Sequence, residues 1–303
     1  MPELPEVETV VRSLRKVLPG RSILSVRLGK TDFMDDPVAL GDFLPGRRIE
    51  SVERIGKFIR MRLMGSATAR NPDAQLNLIV HLGMTGRLIV HAAGASVAAH
   101  THGFFELDDG RELRYTDIRR FGQILLVEDA NLAPFRERLG EEPLDVSLEE
   151  FVRRLAGRRA RTKALLLDQR VFRGIGNIYA DESLWRVRIH PARLAARLTN
   201  DDLVRLRKAI QDVLNAAIRM HGSSISDFVD AEGKPGSYQQ RHRVYGRMGK
   251  PCTRCGSAIR RTIVAGRSSY YCPRCQAAPR STAAKTGKRT VAQLHVAAAK
   301  KGR

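Results

Sequence analysis

A proline stands directly behind the first methionine, and two carboxylates, Glu3 and Glu6, follow within one helical turn of it. Trimming of Met1, usual before a small residue, leaves the Pro2 ring nitrogen as a free secondary amine, with a pKa of roughly 8 for an α-amino group. Such an amine can attack a sugar or carbonyl carbon and form a cationic iminium, a covalent sink for electrons. Proline and acids also suit the first turn of a helix, so Met1–Glu8 reads equally as a nucleophile and as a helix start. A second group comprises all four cysteines, spaced Cys252-x2-Cys255-x16-Cys272-x2-Cys275. Two such knuckles fix a tetrahedral thiolate site for one structural Zn2+, with every ligand from protein and no open position for catalysis. Two disulfides would need an oxidising compartment, and the acidic, proline-containing start does not read as an export signal.

Further candidates are single residues. By period-two alternation Lys57 shares the inward face of a strand Lys57–Met64 with Ile59, Met61 and Leu63. Its stem either snorkels at a strand edge or carries the amine into a cleft. His81 ends the apolar run Leu76–Leu82, where a lone histidine is usually structural. Gly83-Met84-Thr85-Gly86 puts a flexible apolar side chain on a tight turn, and Arg119-Arg120-Phe121 puts an aromatic beside two guanidiniums. Together these match what a base-extruding protein needs, an apolar wedge and a cation to fill the vacated space. Gly174-Ile175-Gly176-Asn177 opens a helix whose free N–H groups make a ready phosphate site, with Arg158 and Lys163 nearby as backbone contacts. No strand–helix–strand pattern surrounds it, which argues against a dinucleotide fold and a nucleotide cofactor.

The elements that must hold these residues change character along the chain. Val7, Val10, Val11, Leu14, Val17 and Leu18 form one helical stripe from Glu3 to Leu18, ended by Pro19-Gly20. β-like runs follow at 22–28, 48–55, 57–64, 76–82, 87–91, 103–107, 112–115 and 123–127, separated by turn signals such as Asp108-Asp109-Gly110. Beyond about Asp129 the runs turn helical: Leu148–Leu155 with Ser147 as N-cap, Arg161–Leu167, Asn177–Trp185, and Asp201–Met220 capped by Thr199 or Asn200. The expected fold is therefore α+β. A β-sandwich with flanking helices spans 1–130, and a linker around Gly140-Glu141-Glu142-Pro143 spans 131–143. A helical domain spans 144–246, ending in a long polar, mobile loop from Gly222; a zinc module spans 247–276 and a basic, disordered tail 277–303. Lys and Arg number 53 against 32 Asp and Glu, a formal charge of +21 that points to nucleic acid as partner. No apolar run reaches the roughly eighteen residues of a membrane span.

These motifs, in this order, resemble the bacterial formamidopyrimidine-DNA glycosylases over about residues 2–276. The resemblance rests on PELPEVET at the start, HLGMTG at 81–86, YTDIRRFG at 115–122, LLLDQRVFRGIGNIYADESLW at 165–185, GKPGSYQQRHRVYGR at 233–247 and the four-cysteine finger. It implies a sandwich, a helix-two-turn-helix domain and a β-hairpin zinc finger. It also implies a monomeric bifunctional glycosylase and abasic-site lyase that removes oxidised purines from duplex DNA, in the bacterial cytoplasm at the nucleoid. Pro2 is then the nucleophile at C1′, Glu3 the acid that protonates the sugar ring oxygen, and Glu6 a residue that helps hold the site. Lys57 serves β-elimination and the lesion's phosphate, and Arg267 serves δ-elimination and phosphate binding. His81 and Asn177 hold phosphate; Met84, Arg119 and Phe121 fill the gap left by the flipped base; His100 and Arg158 are further DNA contacts; residues 222–238 close over the base. Ile118 stands where the family commonly has proline, and His221 where it usually has glycine. Two other readings are an endonuclease VIII-like pyrimidine glycosylase, disfavoured by Leu4 and Val7 in the opening motif, and a zinc-ribbon DNA-binding protein without catalysis.

Overall fold

The computed structural model describes residues 1–65, 69–225 and 228–278. It opens with helix α1 (Leu4–Arg15), followed by β1 (Ile23–Leu28), helix α2 (Pro37–Phe43) and seven more strands. These are β2 (Arg48–Ile55), β3 (Phe58–Met64), β4 (Leu76–His81), β5 (Arg87–His91), β6 (Thr101–Leu107), β7 (Glu112–Thr116) and β8 (Gln123–Glu128). They form two four-stranded antiparallel sheets, ordered β1-β6-β7-β5 and β2-β3-β4-β8. Alternation puts Ile23, Leu107, Leu113 and Tyr115 of one sheet against Ile49, Val52, Ile59, Met61 and Val80 of the other, in one core. Val7, Val10, Val11 and Leu14 of α1 and Leu40 of α2 close that core.

The alternation in β3 does not extend to Lys57. Ile55 pairs with Phe58, so Gly56-Lys57 is the two-residue turn of the β2–β3 hairpin. Gly56 sits at φ +59, where a side chain is disfavoured, and a Cβ there would lie 2.9 Å from the Cβ of Arg173. A turn pressed against the second domain, and not a strand face, therefore aims Lys57. Two helices lie outside the sequence expectations. Short α2 is capped by Asp36, which accepts from the Ala39 N–H at 2.9 Å. Helix α3 (Asp129–Glu137) fills the first half of the segment read as linker, where Pro134 obscures the helical period. Its Leu132 packs on Ile55 and Ile79, and Phe135 lies edge-on to Phe58.

The second half holds α4 (Leu148–Leu155), α5 (Thr162–Leu167), α6 (Asn177–Arg186) and α7 (Asn200–Arg219), then β9 (Arg260–Val264) and β10 (Arg267–Tyr271). Thr199 caps α7, its hydroxyl accepting from Asp202 N–H while the Asp202 carboxylate accepts from Thr199 N–H. Helix α7 ends in a Schellman motif, with His221 N–H donating to Ile218 and Gly222 N–H to Ala217. His221 has φ +60, the conformation glycine favours, which accounts for the usual glycine there. The four helices share a core of Phe151, Leu166, Phe172, Tyr179, Leu206, Ile210 and Leu214. Leu4 joins this core and not the sandwich, so α1 is held between two cores.

Within the stretch Gly222–Gly246, expected as a mobile loop, several of the described residues are packed, while residues 232–235 are exposed. Ser223, Asp230, Tyr238 and His242 are buried, and the N–H groups of Arg243, Val244 and Tyr245 all donate to Glu182 of α6 at 2.9 Å. Ser226 and Asp227, within the expected capping loop, and the tail from residue 279 lie outside the described residues. Among the described residues no helix is long and apolar enough to cross a membrane.

Lys163 of α5 is wholly buried and ion-paired with buried Asp181 of α6 at 2.7 Å, and it also donates to the Ser268 carbonyl of β10 at 2.9 Å. Lys163→Ala strands the Asp181 carboxylate without its cation and is expected to cost about 3–5 kcal/mol. Urea unfolding will read this as a lower midpoint, and Lys163→Met combined with Asp181→Leu is expected to recover only part of the loss, because Tyr270 N–H and the Ser268 carbonyl then lose their partners.

Candidate active site and nucleic-acid interface

The N-terminus is threaded into the start of α6. Gly176, the N-cap residue, has no side chain to offer the helix. Glu3 supplies the cap from the far end of the chain: its carboxylate accepts from Ile178 N–H at 2.9 Å and Tyr179 N–H at 3.4 Å. A Cβ on Gly176 would lie 2.3 Å from the Glu3 carboxyl carbon, so glycine is required by the carboxylate beside it. Leu4 N–H donates to the Gly174 carbonyl at 3.0 Å. The Gly174–Asn177 motif is thus a cradle for the chain's own N-terminus. The Ile178 and Tyr179 N–H groups at this helix start are thus taken by Glu3 and are not free for a phosphate; Asn177 is half-buried, and its Oδ1 has no hydrogen-bond partner among the described residues.

Glu6 lies one turn on and accepts three hydrogen bonds, from Glu3 N–H at 2.9 Å, from Ser223 N–H at 2.6 Å and from the Tyr179 hydroxyl. Burial pushes its pKa up to about 7, and the neighbouring Glu3 charge adds to the rise. Burial raises Glu3 as well, opposed by Lys57 and the two α6 N–H groups. Both acids therefore hold protons at a higher pH than ordinary carboxylates. Ser223 continues the buried chain, its hydroxyl 3.3 Å from Tyr179 and 3.1 Å from His242 Nε2.

Lys57 lies within reach of both acidic charges, and His81 and Arg267 lie near Lys57 in turn. The Lys57 side chain is buried, and among the described residues its amine makes no hydrogen bond and no ion pair within 4 Å. Burial lowers its pKa, against the attraction of Glu3 and Glu6; the Arg267 charge lowers it further. His81 packs on Phe58 with ring centroids 5.0 Å apart, and its Nδ1 accepts from Gly83 N–H at 3.2 Å. Burial and the Lys57 charge push its pKa down to about 4, leaving a neutral ring with its hydrogen on Nε2. Arg267 follows a two-residue turn, Ala265 at φ +50 and Gly266 at φ +70, the geometry of a type I′ hairpin. Tyr270 N–H donates to Asp181 at 2.9 Å and so locks the hairpin to α6. Lys163, read as a phosphate contact, is fully enclosed in that junction and does not reach the surface.

The four cysteine sulfurs lie within 4.8 Å of one another. Tetrahedral thiolates at about 2.3 Å from Zn2+ stand roughly 3.8 Å apart, so the donor set fits one structural ion. Gln276 ties the site to the helical domain, accepting from Cys272 N–H at 2.9 Å and donating to the Ile189 carbonyl at 2.8 Å.

Met84, Arg119 and Phe121 come together on the sandwich. Met84 and Phe121 are 40% and 56% exposed, and the Arg119 guanidinium lies 4.6 Å from the Phe121 ring centroid. What holds them is a residue sequence reasoning missed, Asp117, which is fully buried. One oxygen accepts from the Thr85 hydroxyl at 2.5 Å and Arg119 N–H at 3.2 Å, the other from Gly122 N–H at 3.0 Å and the Tyr115 hydroxyl at 3.2 Å. Its own N–H donates to the carbonyl of His100, which has φ +63 and an exposed side chain. The signal was an acid between Tyr115 and Arg119 in a turn, the place for a side chain that bonds its neighbours' N–H groups. Ile118, 54% exposed, hangs outside this clamp, so the loop keeps its shape without a proline there. Arg158 is exposed in the turn after α4.

The comparisons with known proteins agree along the chain. Residues 1–124 match the formamidopyrimidine-DNA glycosylase N-terminal domain, residues 139–229 its H2TH domain, and residues 249–278 the zinc finger found in FPG and IleRS. The formamidopyrimidine-DNA glycosylase of Herpetosiphon aurantiacus is 43% identical over 269 residues, 87% of this chain and 95% of the relative. That of Heliobacterium modesticaldum is 46% identical over 270 residues, 86% and 94% of the two chains. The Lactococcus lactis enzyme in complex with DNA containing an abasic site superposes with a TM-score of 0.83 at 32% identity, over 91% of this chain and 100% of that one. A point mutant of the same Lactococcus lactis enzyme, in complex with Fapy-dG-containing DNA, gives the same values.

The neutral state of His81 is directly testable. Long-range 15N–1H correlation spectra are expected to show the Nε2–H tautomer from about pH 8 down to about pH 5, with a midpoint of about 4. A midpoint near the ordinary 6.5 would mean that the ring is solvated and carries charge to a phosphate.

Proposed function

The chain belongs to the formamidopyrimidine-DNA glycosylase family and is a DNA glycosylase and abasic-site lyase of base excision repair; on that footing we propose that Pro2, freed by removal of Met1, is its nucleophile. The observation that carries this reading is the buried Glu3–Glu6 pair, tied into α6 beside Pro2, with the buried amine of Lys57 within reach of both charges and Arg267 near Lys57. As the Pro2 nitrogen bonds C1′ of the damaged nucleotide, the glycosidic bond breaks and the base leaves with its electron pair. Opening of the sugar ring turns the C1′–N bond into an iminium, and Glu3 delivers the proton that O4′ needs. Its raised pKa keeps that proton available, and the α6 N–H groups take up the carboxylate left behind. The iminium makes the C2′ proton acidic, so the 3′ phosphate leaves by β-elimination and the 5′ phosphate by δ-elimination. Lys57 serves the first step with an amine of lowered pKa, and Arg267 the second, while Glu6 fixes the backbone of Glu3. The neutral Nε2–H of His81, Asn177 and Arg158 receive phosphates, and Met84, Arg119 and Phe121 take the space of an extruded oxidised purine. One chain supplies the whole set, so the enzyme works as a monomer, on nucleoid DNA in the cytoplasm.

Borohydride reduction in the presence of 8-oxoguanine duplex is expected to trap a covalent adduct at Pro2, located by peptide mass. Glu3→Gln is expected to slow base release by roughly 10²–10⁴-fold. Trimmed protein that yields no adduct would sink the assignment of Pro2. Excision from 8-oxoguanine:C is expected to outpace excision from thymine-glycol duplex; the reverse order would favour the pyrimidine reading.

Asp117 positions the wedge and touches no reacting atom. Asp117→Ala is therefore expected to slow excision of an intact lesion by about 10²-fold, as a displacement of about 1 Å does, while cleavage at a preformed abasic site changes little. Equal losses in both assays would instead mark a general fold defect.

A further inference from the structure

A cavity of about 810 Å³ lies at the other end of α6 from Glu3, between that helix, α7, the Tyr238–Arg243 segment and the first zinc knuckle. Its α6 lining, Glu182, Trp185 and Arg186, stands about 8–14 Å along the helix axis from the capped end. Five arginines line it: Arg186, Arg219, Arg241, Arg243 and Arg254. Glu182 is the one acidic residue among the lining side chains, and its carboxylate is already taken by three backbone N–H groups. Arg254 is likewise committed, donating to the Trp185 and Arg186 carbonyls at 2.8 Å and lying over the Trp185 ring. Arg186 has only a 3.7 Å contact to Asp212. Among the described residues, the guanidinium groups of Arg219, Arg241 and Arg243 have neither an ion pair nor a hydrogen bond. Arg119, Arg158 and Arg267, the cations assigned to the DNA face, share that unpaired state. Elsewhere Arg54, Arg60, Arg154 and Arg205 are each paired with two acids, while exposed Arg48, Arg138, Arg159 and Arg261 also lack a partner among the described residues; the cations of the cavity differ in sharing one concavity.

Gathering like charges around one concavity is unfavourable unless an anion offsets their repulsion. The planar forks of arginine suit phosphoryl oxygens taken two at a time. A half-open concavity of this size admits a compact ligand more readily than the convex surface of a duplex. We infer that this cavity is a second phosphate-recognising site, distinct from the DNA cleft and shaped for a compact anion with adjacent phosphoryl groups. The phosphates come from a free polyphosphate or from a short single-stranded segment.

The test uses zinc-loaded full-length protein saturated with a duplex that carries a stable abasic analogue, so that the main cleft is filled. Calorimetric titration with tripolyphosphate and, separately, with tetrathymidylate at fixed ionic strength is expected to show one saturable site for at least one probe. Tighter binding of tripolyphosphate identifies the free anion, and tighter binding of tetrathymidylate identifies the strand. The Arg219→Ala/Arg241→Ala double variant is expected to bind about tenfold more weakly or worse, with unchanged nicking of abasic DNA and an unchanged thermal midpoint. Arg158→Ala is expected to bind both probes as the wild type does. Absence of saturable binding overturns the proposal, and so does an equal loss in Arg158→Ala, which would reduce the effect to diffuse positive charge.

Discussion

The carboxylate of Glu3 capping a helix that begins 174 positions later is the contact on which the rest of this molecule depends. A buried carboxylate is costly unless donors surround it, and the first turn of a helix supplies unpaired N–H groups with a favourable dipole. Each therefore satisfies the other. The consequences spread along the chain: Gly176 must lack a side chain, Gly174 must admit Leu4, and Leu4 must enter the helical core while Val7 enters the sandwich. The residue that follows Met1 is thereby fixed between two domains, without a loop of its own to move on.

Helix α6 extends this logic along its length. Tyr179 reaches Glu6 and Ser223, Asp181 holds Lys163 and the zinc hairpin, and Glu182 gathers three N–H groups of the returning chain. Trp185 shares a small core with Cys252 and Cys272. Buried acids in one helix would be destabilising alone; here each is matched to donors from a different segment, so the helix fixes where those segments go. Arg267 arrives near Lys57 because Asp181 anchors its hairpin, and the four cysteines of the module would hold a structural metal. On the domain boundary, Arg54 joins Glu8 of α1 to Glu142, and Glu142 also pairs with Arg173, so the Gly56-Lys57 turn is braced from both sides.

Much of this was legible in the sequence wherever a local rule governs the outcome. Periodicity placed α7 and the eight strands to within a residue or two and α1 to within three, the Ser147 cap was readable, and the cysteine spacing pointed to one metal site. The failures share a cause. Gly174–Asn177 has the composition of a phosphate loop, and only the distant Glu3 turns it into a socket for the N-terminus. Lys163 has the type and position of a phosphate contact, and only Asp181 and Ser268, far along the chain, remove it from the surface. Lys57 was expected on an inward strand face, yet the pairing of Ile55 with Phe58 put it in a turn. Asp117 was overlooked because its neighbours Arg119 and Phe121 carry the more obvious chemistry, while one of the bonds by which it holds the loop runs to Thr85, 32 positions back.

The two sets of functional side chains are anchored independently, and that separation has a physical reason. Met84, Arg119 and Phe121 ride on Asp117 within the sandwich, whereas Glu3, Glu6 and Arg267 are referred to α6. A wedge must present apolar surface to water before it meets a duplex, a cost borne only if its backbone is rigid enough to insert without further ordering. The covalent chemistry has the opposite need, for groups withdrawn from water so that their proton affinities shift: Glu6 up to about 7, and His81 down to about 4. Anchoring both sets to one element would force the same solvent exposure on them. Placing one on a sheet loop and the other at a capped helix start lets the exposed and the buried functions coexist at a single cleft.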